Sequence, residues 1–234
     1  PDLILLLGDR YEALAVPISA MIAGVPIAHI YGGEVTAGAI DEAIRHSISK
    51  MLYIHFISTE EYRQRVIQLG EQPARVFNFG APGLENITKT RLIPEYELRN
   101  EYNIPKHKKY FLITVHPETL KIDGGLKTVN NLISALTFID GYHFVFTYPN
   151  ADTNCQNIIT AIEQFKKFNP KNVVFEKYYG QLKYLSLMSC SSAVIGNSSS
   201  GIIEATTLGV PSIDIGDRQR ERVRAKSDIL CYSI

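Results

Sequence analysis

Four short passages of this 234-residue chain combine glycine or proline with side chains that can move a proton or hold an anion. They are Gly8-Asp9-Arg10, the stretch from Gly32-Gly33-Glu34 to Asp41, Val115-His116-Pro117-Glu118, and Gly196-Asn197-Ser198-Ser199-Ser200-Gly201. Asp9, Glu34 and Asp41 form a candidate acid/base set, because carboxylates sharing one cleft push their pKa values apart and so provide an acid and a base. Each also has a plainer reading. Asp9 can cap a helix and Glu34 can be solvated, while Asp41 with Arg45, and Glu42 with His46, have the i,i+4 spacing of ordinary helix pairs. His116, at a strand end before a proline, can donate to a phosphate or transfer a proton. His29, inside an apolar strand, reads as a core or near-site residue, and His55 as structural.

The last passage places small hydroxyl residues between two glycines, where a strand gives way to a helix. Free N–H groups at such a helix start suit a phosphate, although Ser198 or Ser199 can equally serve only as the cap. Glu204 follows within that helix, where a carboxylate can accept ribose hydroxyls or merely complement the helix dipole. Arg218 offers a cation beyond the next strand, within an arginine-rich stretch that also reads as a surface loop. Asn150, after Tyr148-Pro149, can meet a base or phosphate or be a polar turn residue. Neither G-x-x-x-x-G-K-[ST] nor G-x-G-x-x-G occurs, which removes the usual support for ATP hydrolysis and dinucleotide binding. No spacing of His and Cys suggests a metal site.

Elements that can position these groups alternate along the chain. Residues 3–7 form an unalternating aliphatic run, the pattern of a parallel strand buried on both faces. A helix over 11–23 and a strand over 25–31 follow, then a helix over 40–52, a strand over 53–58, a helix over 60–69 and a strand over 76–79. After a polar passage (84–109) that reads as a connector, a second series begins. Its strands are expected at 110–115, 143–148, 173–175, 193–195 and finally 212–215, with a helix over 201–208 before the last. Strands alternating with helices predict parallel sheets, and two Rossmann-like domains, 1–85 and 86–234. Ligands in such sheets bind beyond the carboxyl ends of the strands, where all four passages lie.

Twenty-four Lys+Arg balance 24 Asp+Glu, so neither nucleic acid nor a membrane surface is an expected partner. The longest apolar stretch (13–30) contains Pro17, Gly24 and Pro26, which suit helix, turn and strand better than a membrane span. Three widely spaced cysteines make no disulfide framework and point to a reducing cytoplasm. The chain begins Pro1-Asp2 and both ends lie in apolar text, so a piece of a longer protein is expected.

Gly8-Asp9-Arg10-Tyr11-Glu12-Ala13, His29-Ile30-Tyr31-Gly32-Gly33-Glu34-Val35, the run from Asp41 to Met51 and the Gly196–Gly201 passage together resemble the hydrolysing UDP-N-acetylglucosamine 2-epimerases of sialic-acid biosynthesis. The resemblance runs in order over nearly the whole chain. It implies the two-domain GT-B arrangement, with the ligand in the cleft between domains and without a cofactor. It implies elimination of UDP to 2-acetamidoglucal, then hydration to N-acetylmannosamine. Asp9, Glu34 and Asp41 then match the acid/base groups, Arg10 and Arg45 their orienting partners, and His116 a histidine near sugar and diphosphate. Asn150, Ser198, Ser199, Gly201, Glu204 and Arg218 match the UDP contacts. Family members with a glutamate two residues after the position of His29 differ from the present chain, which has Tyr31 there. A homo-oligomer, dimer or tetramer, is implied as well. The alternatives are a UDP/GDP-N,N'-diacetylbacillosamine 2-epimerase, a non-hydrolysing epimerase, a GT-B glycosyltransferase and a non-catalytic nucleotide-sugar module.

Overall fold

The computed structural model describes residues 1–37 and 39–231, in two compact units, Pro1–Glu85 and Asn86–Ile234. The first unit runs β1 (Ile4–Leu7), α1 (Tyr11–Ile22), β2 (Ile27–Ile30), α2 (Asp41–Ser49), β3 (Ile54–Ile57), α3 (Glu60–Gln68) and β4 (Val76–Asn78). Its strands are all parallel, in the order β1-β2-β3-β4. Leu6, Ala20, Ile27 and Ile48 close a small core under α1 and α2, and Ile57, Tyr62, Val66 and Val76 close another under α3.

One expectation is overturned here. Residues 3–7 are not buried on both faces: Leu6 is 8% exposed, whereas Leu5 and Leu7 are 62% and 63% exposed. Side chains alternate along a strand, and the helices cover the face that carries Leu6. Phe77 and Phe79 of the far side of the sheet are exposed as well, with their rings stacked at 5.9 Å.

The second unit follows α4 (Pro82–Lys89), which spans the boundary. It runs α5 (Glu95–Glu101), β5 (Lys109–Thr114), α6 (Leu126–Leu136), β6 (Tyr142–Thr147), α7 (Cys155–Phe168), β7 (Val173–Glu176), α8 (Gly180–Cys190), β8 (Ala193–Gly196), α9 (Ser199–Ile202), α10 (Glu204–Thr207), β9 (Ser212–Ile215) and β10 (Asp228–Cys231). Its parallel strands are ordered β10-β9-β8-β5-β6-β7. Alternation here buries both faces. Ile113, Phe144 and Phe146 meet Ile158, Ile162 and Phe165 of α7, while Leu112, Val145 and Val194 meet Leu98, Leu187 and Met188 of α5 and α8.

Three further expectations change. The passage 84–109 is more than a connector, since Leu98 and Ile104 belong to the second core. The expected helix over 201–208 is two short helices with a break at Ile203, whose φ of −93° and ψ of −65° still lie in the right-handed helical region. The strand over 212–215 is not the last, because β10 pairs with it in parallel, Asp228 against Ser212 and Leu230 against Asp214.

The strand order matters for function. It turns back between β5 and β8, with β6 and β7 laid to one side and β9 and β10 to the other. At such a switch point the loops leaving the two central strands diverge to opposite faces and open a crevice beyond their carboxyl ends. His116 and the Gly196–Gly201 passage follow those two strands. Among the described residues, no helix is long and apolar enough to cross a membrane.

Candidate functional site

In the first unit, Arg45 is the centre of a polar cluster. It sits on α2, 1% exposed, and its guanidinium spreads over several loops. One nitrogen donates to the Asp9 carboxylate and, at 2.8 Å, to the Thr36 hydroxyl. The other donates to the Glu34 main-chain carbonyl at 2.7 Å and to Glu42 at 3.3 Å. A planar fork of five N–H donors can serve several acceptors at once, as an ammonium cannot. Asp9 does not cap α1, whose capping position is taken by Arg10 without a side-chain bond.

The loops that deliver these groups are themselves fixed. Gly8 has φ +81°, its N–H donates to Ile30, and its carbonyl accepts from His29 Nε2 at 2.7 Å. Burial holds His29 at about 4, against the bond to Gly8, so its ring is neutral near pH 7. Gly33 has φ +74°, and a Cβ there would stand 2.4 Å from the Tyr62 carbonyl. Only glycine lets the Glu34 loop pass α3 this closely.

Glu34 and Asp41 are both buried, and the Glu34 carboxylate accepts from the Ser58 hydroxyl at 3.1 Å. Glu42 receives the Thr36 N–H at 2.8 Å and pairs with His46 at 3.1 Å. Burial alone would raise its carboxyl, but the His46 bond, the Thr36 N–H and the charges of His46 and Arg65 hold it below the usual value. Arg10 turns to Glu12 at 3.3 Å, with its guanidinium 5.4 Å from the centre of the Tyr11 ring.

In the second unit, Asn197 does for the switch point what Arg45 does for the first cluster. Its Oδ1 accepts from the His116 N–H at 2.7 Å, and its Nδ2 donates to the His116 carbonyl at 2.9 Å. Its own N–H donates to Thr114, and its carbonyl accepts from Gln219 at 2.9 Å and from Arg218 at 3.5 Å. His116 Nδ1 accepts the Asn150 N–H at 3.0 Å, which leaves Nε2 to carry the ring proton in the neutral form. Gly196 has φ +144°, and a Cβ there would stand 1.8 Å from the Thr114 carbonyl, so β5 and β8 can close here only around glycine.

The remaining residues are placed as follows. Ser198 caps α9 and accepts from the Ser200 N–H and, at 3.0 Å, from the Ser200 hydroxyl. Ser199 is half-buried at the start of α9, and Glu204 is half-buried at the start of α10. Gly201 is buried, and a Cβ there would lie 3.7 Å from Ser212, so it serves the packing of α9 on the sheet. Arg218 is buried, which overturns its reading as part of a surface loop. Sequence reasoning left Thr36, Asn197 and Gln219 out of the candidate set. Only Asn197, directly after a strand-ending glycine, carried a signal. Among the described residues, no group of three or more His, Cys, Asp or Glu side chains is arranged to hold a metal.

Known proteins resemble this chain over nearly its whole length. A family model for UDP-N-acetylglucosamine 2-epimerase matches residues 1–233. The chain is 43% identical over 230 residues to the polysialic acid biosynthesis protein P7 of Escherichia coli, covering 97% of this chain and 58% of that one. It is 40% identical over 229 residues to a GDP/UDP-N,N'-diacetylbacillosamine 2-epimerase (hydrolyzing) of Campylobacter jejuni, covering 98% and 60%. The chain thus spans about three-fifths of the length of these relatives. The crystal structure of UDP-GlcNAc 2-epimerase from Neisseria meningitidis bound to UDP-GlcNAc matches with a TM-score of 0.76 at 21% identity, over 93% of this chain and 60% of that one, and so shares the fold. With a match over essentially all of its residues, this chain belongs to the UDP-N-acetylglucosamine 2-epimerase family.

Proposed function

We propose that the protein is a hydrolysing 2-epimerase that converts UDP-GlcNAc and water to N-acetylmannosamine and UDP. The observation that carries this reading is the buried Arg45 joined to Asp9 and to the main chain at Glu34, one helical turn along α2 from the buried Asp41. Inversion at C2 needs a proton removed from one face and returned to the other, so more than one acid/base group must stand at the sugar. Asp9, Glu34 and Asp41 supply such groups, with Arg45 as the orienting partner, whereas Arg10 pairs with Glu12 instead. A carboxylate takes the C2 proton, the electron pair forms the C1–C2 double bond, and the C1–O bond breaks to release UDP. Water then adds across that double bond, the hydroxyl going to C1 and a proton to C2 from the opposite face.

The second unit holds the nucleotide in this reading. His116, with Nδ1 occupied by Asn150, offers its Nε2–H to a diphosphate oxygen. Arg218 supplies a cation to the leaving group, Glu204 meets the ribose hydroxyls, and Asn150, Ser198, Ser199 and Gly201 line the rest of the UDP site.

A second reading is favoured by the names of two relatives, the Campylobacter jejuni protein and a UDP-N,N'-diacetylbacillosamine 2-epimerase (hydrolyzing) of Legionella pneumophila at 33% identity. The same elimination and hydration would then act on a 4-acetamido, 6-deoxy sugar. Proton NMR of the full-length protein with UDP-GlcNAc in D2O separates the cases. Free UDP with N-acetylmannosamine deuterated at C2 supports the first reading, and UDP-ManNAc would replace it with the non-hydrolysing reaction. Inertness toward UDP-GlcNAc with UDP release from the diacetylbacillosamine nucleotide would establish the second.

A further inference from the structure

The stretch 216–227 joins two adjacent parallel strands, β9 and β10, in only 12 residues and, among the described residues, without a helix. Parallel crossovers normally bury an apolar helix against the sheet, which fixes where the connection lies. Here charges do that work. Arg224 donates to Asp214 of β9 at 2.5 Å, to Asp228 of β10, and to the main-chain carbonyl of Gln219 at 2.5 Å. Both carboxylates are buried, and Asp228 also accepts from the Ser212 hydroxyl at 2.8 Å. The start of the stretch is tied separately, the Asp217 N–H donating at 3.3 Å to Glu118, which pairs with Lys121.

The consequence reaches the switch point. Gln219, whose carbonyl Arg224 holds, donates its side-chain amide to the Asn197 carbonyl, the acceptor that Arg218 also approaches. Asn197 in turn holds His116 by both main-chain groups. An unbroken path of hydrogen bonds therefore joins Arg224 to His116. Buried ion clusters are poor stabilisers compared with apolar replacements, and their best-attested use is to impose one register.

We propose that Arg224 is a positioning residue for the nucleotide site, clamping β10 to β9 so that Gln219 and Arg218 stay registered on Asn197. The inference rests on the reading of Arg218 as a UDP contact. Three charged groups meet at the clamp, Arg224, Asp214 and Asp228, with the Glu118–Lys121 pair nearby. Burial lifts the Asp214 carboxyl to about 6 despite Arg224, and Asp228 and Glu118 raise it further. A neutral residue at 224 would leave two buried carboxylates facing each other.

The test is calorimetric titration of the full-length protein with UDP, using Arg224→Met, Arg218→Ala and the double variant. Arg224→Met should weaken UDP binding about tenfold, the scale of one lost charge-assisted contact, and raise KM by far more than it lowers kcat. In the Arg218→Ala background the same change should cost less than about twofold, because the group it positions is gone. Arg224→Lys and Asp228→Asn, which keep part of the clamp, should give intermediate losses and serve if Arg224→Met does not fold. Undiminished UDP affinity in the Arg224 variants, or losses that simply add to that of Arg218→Ala, would overturn the proposal. Unchanged affinity in Arg218→Ala alone would instead overturn the UDP-site assignment on which it stands.

Discussion

Arg45 and Asp9, 36 residues apart in sequence, meet as an ion pair in which the guanidinium is almost wholly buried and the carboxylate is not. That asymmetry gives Asp9 a fixed orientation while leaving it open to a ligand. It also lets one buried side chain align the loops after β1 and β2, since the same guanidinium binds Thr36 and the main chain at Glu34.

Arg45→Met should therefore cost about 3 kcal/mol in urea unfolding, because it strands acceptors that were paired with a buried charge. Turnover should fall at least about 100-fold with displacement of the carboxylates. Arg45→Lys should restore less than half of the stability, since an ammonium cannot span these acceptors.

Asp9→Asn should abolish turnover while changing UDP affinity by less than about twofold, and Glu204→Ala should weaken UDP binding by about tenfold. Calorimetry with UDP and a product assay on the same preparations separate the two. Equal loss of UDP affinity in both variants would dissolve the division of labour.

Gly196→Ala should destabilise by more than about 3 kcal/mol, because the new Cβ would meet the Thr114 carbonyl at 1.8 Å, a backbone atom inside a sheet. Gly141 is the control. It also has a positive φ, +81°, but a Cβ there meets nothing within 4 Å, so Gly141→Ala should cost only about 1–2 kcal/mol of backbone strain. Urea midpoints for the two variants decide the matter.

His143 is buried with neither ring nitrogen hydrogen-bonded, and burial together with the charges of Lys108 and Arg99 depresses it to about 4. Between pH 6.5 and about 4 the unfolded chain takes up a proton that the folded chain refuses, so stability falls as pH drops through this window. His143→Leu removes both the unsatisfied nitrogens and the titration. It should raise stability by about 1 kcal/mol at pH 8 and by roughly 2 kcal/mol more at pH 5. An equal gain at both values would refute this account.

The parallel α/β class was legible because short aliphatic runs alternate with helical spacing, a local signal. What escaped was non-local. Asp228-Ile229-Leu230-Cys231 is too short and too close to an arginine-rich stretch to announce a strand, and it becomes one through its parallel pairing with β9 and the Arg224 tie between Asp228 and Asp214. Leu5 and Leu7 look like core residues in any window, and nothing local tells which face of a sheet the helices will cover. Asp9, Glu34 and Arg45 stood out as charged residues at strand ends and on a helix. Thr36 and Gln219 did not, and Asn197 did so only as part of its passage, since an uncharged polar residue in a loop has meaning only through the partners that the fold brings to it.

The clamp at β10 also bears on how the molecule opens. β10 lies at one edge of the second sheet, with Ile229 more than half exposed, so beyond the strand ladder its hold on β9 comes more from the charges of Arg224 than from apolar area. Its amides and those of 216–224 should then exchange hydrogen together, as one unit, well before those of β5 and β8 at the centre. Guanidinium ions compete for carboxylates as urea does not, so this edge should come loose at low guanidinium while the rest of the sheet stays closed.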